Sequence, residues 1–222
     1  MPNIDVILEQ MLSRKASDLH LTSSMRPFVR EHGDIVPLDG FDEQNPDAVR
    51  EMVLEIMPDR DREAFESDWE ADFAYQTVAG QRFRVNAFVD RLGVAAVLRV
   101  IPDKPLTADE LGLPKPVRDF CGLTKGLVVV TGPTGSGKST TLAAMMDLIN
   151  KTRSEHIITI EDPIEFVHTP DRCLINQREV HAHTRSFSNA VRAALREDPD
   201  IVMVGELRDL ETMETAIETA ET

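Results

Sequence analysis

Between Gly132 and Ser139 the chain reads Gly-Pro-Thr-Gly-Ser-Gly-Lys-Ser. Glycines at this density let backbone N–H groups converge on an anion with no side chain in the way. Lys138 adds a cation able to bridge two phosphates, and Ser139 adds a hydroxyl suited to a hard divalent cation. The spacing is G-x-x-x-x-G-K-[ST], with the apolar run LVVVT before it and the helical pattern TTLAAMMDLIN after it. A strand before such a loop and a helix after it are the context in which the loop cradles phosphates, and the helix N-terminus adds partial positive charge at the same point. The reading is that Gly132, Pro133, Thr134, Gly135, Ser136, Gly137, Lys138, Ser139 and Thr140 bind a nucleoside triphosphate, ATP, with Mg2+ ligated by Ser139.

Carboxylates come next. DIVMVGE, residues 200–206, is an apolar run ending in Glu206. A neighbouring parallel strand ending this way would set its carboxylate beside the metal and the attacking water. IITIEDPIEF, residues 157–166, brings Glu161 and Asp162 to the C-terminal edge of another buried strand, where ligands of α/β sheets gather. A carboxylate there would orient or deprotonate water. Taken alone, Asp162-Pro163 reads equally well as a turn. Arg82, Arg84, Arg91 and Arg99 lie in strand-like sequence and would either stabilise phosphate charge or pair with surface acids. His181 and His183 have no ligand partners nearby in sequence and read as surface residues, and His20 reads as a hydrogen-bonded strand residue.

The elements that must position these residues follow from periodicity. Ile4, Ile7, Leu8, Met11 and Leu12 recur at helical spacing over residues 4–15, and the alternation around Gly33-Asp34 predicts a hairpin. Pro46 to Trp69 predicts two short helices broken at Met57-Pro58, and residues 71–101 alternate as about three antiparallel strands turning at Gly80 and Gly93. Pro102, Pro105, Pro114 and Pro116 then interrupt regular structure. After Gly126, strand-like runs alternate with helical ones, which implies a parallel sheet with flanking helices. The expected organisation is an α+β domain over residues 1–100, a linker over 101–113 and a P-loop α/β domain over 114–222.

Composition narrows the class. The chain has 222 residues, 41% hydrophobic and 28% charged, and carries a net charge of −15. That charge opposes non-specific binding of nucleic acid, a polyanion. No apolar run approaches the length of a membrane-spanning helix, and the N-terminus lacks a secretory pattern. Cys121 and Cys173 are far apart and read as reduced thiols. A cytoplasmic protein is expected.

SDLHL, RFRVNAF, VVTGPTGSGKSTTLAAMMDLIN, TIEDPIEF, NQREV and ALREDPDIVMVGELRDLET occur in order across nearly the whole chain. Together they resemble the secretion ATPase superfamily, and within it the type IV pilus retraction, or twitching-motility, ATPases. The resemblance implies an α/β protein, with a PAS-like N-terminal domain followed by a RecA-like ATPase domain, assembled as a homo-hexamer. It makes TIEDPIEF an acidic box with Glu161 as a catalytic carboxylate, puts Glu206 in the Walker B position, and places Arg84, Arg99 and Arg91 among arginines that close on the phosphates. It further implies ATP hydrolysis coupled to an inner-membrane platform protein, with membrane association only through partners, at the inner face of the inner membrane. Family members continue into a histidine-containing motif and a C-terminal helical region, so this chain is expected to be truncated at Thr222, within the helical pattern METAIETAET. Two alternatives stay open: a nucleotide-binding fragment with little hydrolysis, and a pilus-extension or type II secretion ATPase.

Overall fold

The computed structural model describes residues 3–102 and 104–221. The chain divides into two compact units that meet in sequence at Pro102 and Asp103.

In the first unit, helix α1 (Asn3–Ser13) buries Ile4, Ile7, Leu8 and Met11, the stripe expected from their spacing. Strands β1 (Asp18–Thr22), β2 (Phe28–Glu31) and β3 (Asp34–Pro37) follow, with β2 and β3 joined through a tight turn at His32 and Gly33. Helix α2 (Pro46–Ile56) begins where Asn45 accepts the Ala48 N–H through its side chain and proline occupies the first helical turn. Pro58 cannot continue that helix, so α3 (Asp59–Asp68) starts anew. Strands β4 (Glu70–Gln76), β5 (Arg82–Asp90) and β6 (Gly93–Ile101) complete an antiparallel sheet of order β3-β2-β1-β6-β5-β4. One face of this sheet, with Leu19, Leu21, Val29, Phe83, Val85 and Leu98, forms a single core with the three helices.

In the second unit, the proline-bearing stretch is not an open connection. Ala108 and Leu113 are buried there in a core with α5 (Lys138–Thr152). A short helix α4 (Lys115–Phe120) precedes the glycine loop. Strands β7 (His156–Glu161), β8 (Leu174–Glu179) and β9 (Ile201–Val204) form a parallel sheet of order β8-β7-β9. Helix α6 (Phe187–Ala194) packs on β7 and β9, and α7 (Leu210–Glu221) packs on α6. β7 is central, and its residues Ile157–Ile160 are wholly buried.

One expected strand does not form. LVVVT was expected to be β-structure, yet residues 127–131 pair with no strand among the described residues, and Leu127, Val128 and Val129 are exposed. β-propensity only suits a segment to a ladder, and with no partner alongside the backbone has nothing to pair with.

Candidate functional site

At residues 132–140 the backbone bends tightly, with Gly132, Gly135 and Gly137 all at positive φ. Gly132 has φ of 153°, and a Cβ there would lie 2.7 Å from the Ser136 hydroxyl, so the loop closes only around glycine. The Lys138 ammonium turns back into the loop, donating to the carbonyls of Gly132 at 3.0 Å and Pro133 at 2.9 Å. Helix α5 starts at Lys138 and is anchored by Ala143, Ala144, Met145, Met146 and Ile149. Its first turns lie beside the sheet's C-terminal edge, with Ser139 among the residues there.

That edge holds a pocket of about 60 Å³ lined in part by Ser139, Glu161, Asp162, Glu165, His168 and Glu206. Three residue groups separated by tens of positions in sequence thus converge. β7 ends at Glu161, and β9 delivers Glu206 across Gly205, whose N–H donates to the Ile160 carbonyl at 2.8 Å. Asp162 lines the pocket and is solvent-exposed, following β7 through a cis peptide to Pro163.

Glu161 is 7% exposed. Its Oε1 accepts the Thr159 hydroxyl at 2.7 Å and the Gln177 amide at 3.1 Å, while Oε2 takes only a long contact, 3.4 Å, from the Glu165 N–H. Burial pushes the Glu161 carboxyl above the usual range, and the bonds from Thr159, Gln177 and Glu165 pull it partly back. His168 is 8% exposed, and burial holds its imidazole below the ordinary value. Glu206 is ion-paired to Arg208 at 2.7 Å. Among the described residues no group of three or more His, Cys, Asp or Glu is placed to hold a metal ion. The oxygen donors of Ser139 and Glu206 suit a hard cation such as Mg2+, which binds through one or two protein ligands when phosphates supply the rest.

In the first unit, Arg84 and Arg99 stand directly opposite one another on β5 and β6, on the sheet face away from the helices. Arg99 donates through Nε to Asp18 at 2.7 Å, and Arg84 pairs with Asp72 at 3.4 Å. Asp18 is 3% exposed, and although burial alone would raise its carboxyl, the Ser17 and Arg99 bonds hold it below the usual range. Arg91 is not with them, because it sits in the turn between Asp90 and Gly93, the last register pair of the β5–β6 hairpin.

Sequence reasoning did not single out Thr159, Glu165, His168, Gln177 or Arg208. For Gln177 a signal existed: it is a polar residue at the middle of an otherwise readable strand, LINQRE. For His168 there was none, since nothing local marks a loop histidine as facing a pocket.

A glycine loop opening a helix, set beside carboxylates at the C-terminal ends of parallel strands, is the architecture of phosphate-binding α/β proteins. The chain belongs to the type II/IV secretion system protein family, whose sequence model matches residues 1–222. It is 49% identical over 222 residues to the type IV pilus retraction ATPase PilT of Pseudomonas aeruginosa, covering 99% of this chain and 64% of that protein. It is 40% identical over 216 residues to the type IV pilus ATPase PilU of the same organism, covering 97% of this chain and 56% of that one. In structure it resembles a crystal structure of the pilus retraction motor PilT with bound ADP, at a TM-score of 0.93 and 46% identity, over 100% of this chain and 64% of that one. The ATPase DotB of Legionella pneumophila is similar at a TM-score of 0.85 and 30% identity, over 98% of this chain and 62% of the other. The α/β fold class expected from the sequence is the one found.

Proposed function

We propose that the chain binds and hydrolyses ATP as part of a homo-hexameric motor that drives type IV pilus retraction and twitching motility. The observation that carries this reading is the meeting of Ser139, Glu161 and Glu206 at one pocket. Its relatives named as pilus retraction proteins support the same reading.

The geometry supports the following division of labour. Backbone N–H groups of Gly132–Ser139 and the start of α5 hold the phosphates, with Pro133, Thr134 and Ser136 filling the loop and Thr140 in the first helical turn. Lys138 exchanges its loop carbonyls for phosphate oxygens. Ser139 and Glu206 would hold Mg2+, which would supply charge neutralisation on the bound phosphates. Glu161 takes a proton from the attacking water, a task favoured by its burial, which raises the proton affinity of the carboxylate. Arg84 and Arg99 form the pair available to stabilise phosphate charge, while Arg91 on its hairpin turn acts apart from them. We assign the chain a domain boundary near residue 100, a cytoplasmic position at the inner face of the inner membrane, and an inner-membrane platform protein as partner. No helix among the described residues is long and apolar enough to cross a membrane, so attachment would run through that partner.

The test is steady-state ATP turnover by the purified protein and its Lys138→Ala, Glu161→Gln and Glu206→Gln variants. Loss of hydrolysis of about 100-fold or more is expected for each, the scale of a lost general base or phosphate clamp. Undiminished hydrolysis by Glu161→Gln or Glu206→Gln overturns the assignment.

A further inference from the structure

We propose that Gln177 is a positioning residue for the reaction, fixing which oxygen of the Glu161 carboxylate faces the water. The inference rests on the reading of Glu161 as the base.

Gln177 lies on β8, next to β7, directly opposite Thr159 and two register pairs from Glu161. Its amide makes three hydrogen bonds. The Nε2 group donates to Glu161 Oε1 at 3.1 Å and to the Phe166 carbonyl at 2.8 Å, and its Oε1 accepts the His168 N–H at 2.7 Å. Two acceptors on one end and a donor on the other leave a single orientation of the amide, because a flip would set oxygen against oxygen. The side chain therefore spans the acidic loop. It ties the loop's middle, Phe166 and His168, to the carboxylate at its start.

The consequence for Glu161 is directional. Thr159, wholly buried on the same strand, and Gln177 both bond Oε1, and only the weak Glu165 contact reaches Oε2. A carboxylate gripped at one oxygen by two donors cannot rotate about its terminal bond, and the other oxygen keeps lone pairs free to receive a proton. A base is effective only if its accepting oxygen stands within hydrogen-bond reach of the water it deprotonates. The same two bonds oppose the rise in proton affinity that burial imposes on Glu161. Gln177 thus sets both where the base points and the pH at which it becomes available. A role confined to tying the loop would use Phe166 and His168 alone and would leave Glu161 out.

The experiment is ATP hydrolysis across pH by the full protein and its Gln177→Glu and Gln177→Met variants, with ADP affinity and thermal stability measured alongside. Gln177→Glu keeps shape but places a carboxylate against Glu161, and Gln177→Met keeps length without donor or acceptor. The positioning role predicts kcat lower by about tenfold or more with KM and ADP affinity within about twofold, as for a charge-assisted bond that orients a reacting group. It also predicts that the acidic limb of the kcat profile moves to higher pH in both variants. The Glu161→Gln/Gln177→Met double variant should be no slower than Glu161→Gln alone, because the amide then has no base to orient. If Gln177→Glu does not fold, Gln177→Met decides. Lowered stability with an unmoved limb, or slowing that adds fully to that of Glu161→Gln, overturns the inference and leaves Glu161 as base intact. A fully active Glu161→Gln removes the base itself and the inference with it.

Discussion

Asn150 offers the most direct physical test of the second unit. It is 3% exposed on α5, and its side chain donates to the Thr169 carbonyl at 2.9 Å and accepts the N–H groups of Asp171 at 3.0 Å and Cys173 at 3.4 Å. These bonds tie the loop between the acidic box and β8 to the helix that follows the phosphate loop. Asn150→Ala removes all three together. Thr169 and Asp171 are exposed and can turn to water, so each of their bonds counts for only about 0.5–1 kcal/mol. The buried Cys173 N–H would be orphaned at about 1 kcal/mol, the low end because its bond is long. The sum is about 2–3 kcal/mol against opening of this loop. Amide hydrogen exchange reads it directly, because at about 1.4 kcal/mol per decade the Cys173 amide should exchange roughly 30- to 150-fold faster in the variant. Amides in β1 and β6 serve as an internal control and should be unchanged. Exchange of Cys173 within about twofold of the parent would show that the loop is held by its own packing, refuting the reasoning.

Three further outcomes are expected. In Tyr75→Phe, the wholly buried Asp5 loses its 2.6 Å bond from the phenol and keeps, among the described residues, the 3.4 Å contact from Val78, so stability to urea should fall by about 2 kcal/mol, and an unchanged midpoint contradicts this. His168 has a folded-state pKa below its unfolded value of 6.5, so its stabilising contribution is present above that value and fades as pH falls through the folded one. Melting temperature should therefore drop on acidification below pH 6.5, less steeply in His168→Gln, and equal slopes would exclude the histidine as a cause. Gly132→Ala forces a Cβ to 2.7 Å from the Ser136 hydroxyl at a φ few side chains adopt, and strain of about 1–3 kcal/mol should appear as weaker ATP binding by isothermal calorimetry with β-sheet signals retained.

What was legible in the sequence was whatever a local rule decides. The break at Pro58 and the turn at Gly33 are written in single residues, and the glycine loop before α5 in eight consecutive ones. The C-terminal ends of β7 and β9 were legible only beside the glycine loop, because any buried strand can end in an acid. The rest depends on register between distant segments. That Gln177 meets Glu161 follows from parallel pairing of β7 with β8, which no window of either strand reveals. That Arg84 faces Arg99 while Arg91 does not follows from where the β5–β6 turn closes, a matter of one or two residues. The LVVVT run shows the converse failure: composition marked a strand, but strands exist only in pairs.

The facing arginines carry a consequence for how the first unit responds to its solution. Directly opposed like charges destabilise a sheet, and here each is drawn away from the other, Arg99 toward Asp18 on β1 and Arg84 toward Asp72 on β4. Both guanidinium groups are well exposed, so added salt screens the repulsion and the two attractions alike. The opposite face of the same sheet is closed by apolar packing, on which screening has little hold. Ionic strength therefore acts on one side of a single sheet only. A polyvalent anion placed between them would act differently from monovalent salt, accepting from both guanidinium groups at once and turning their mutual opposition into a reason to stay together.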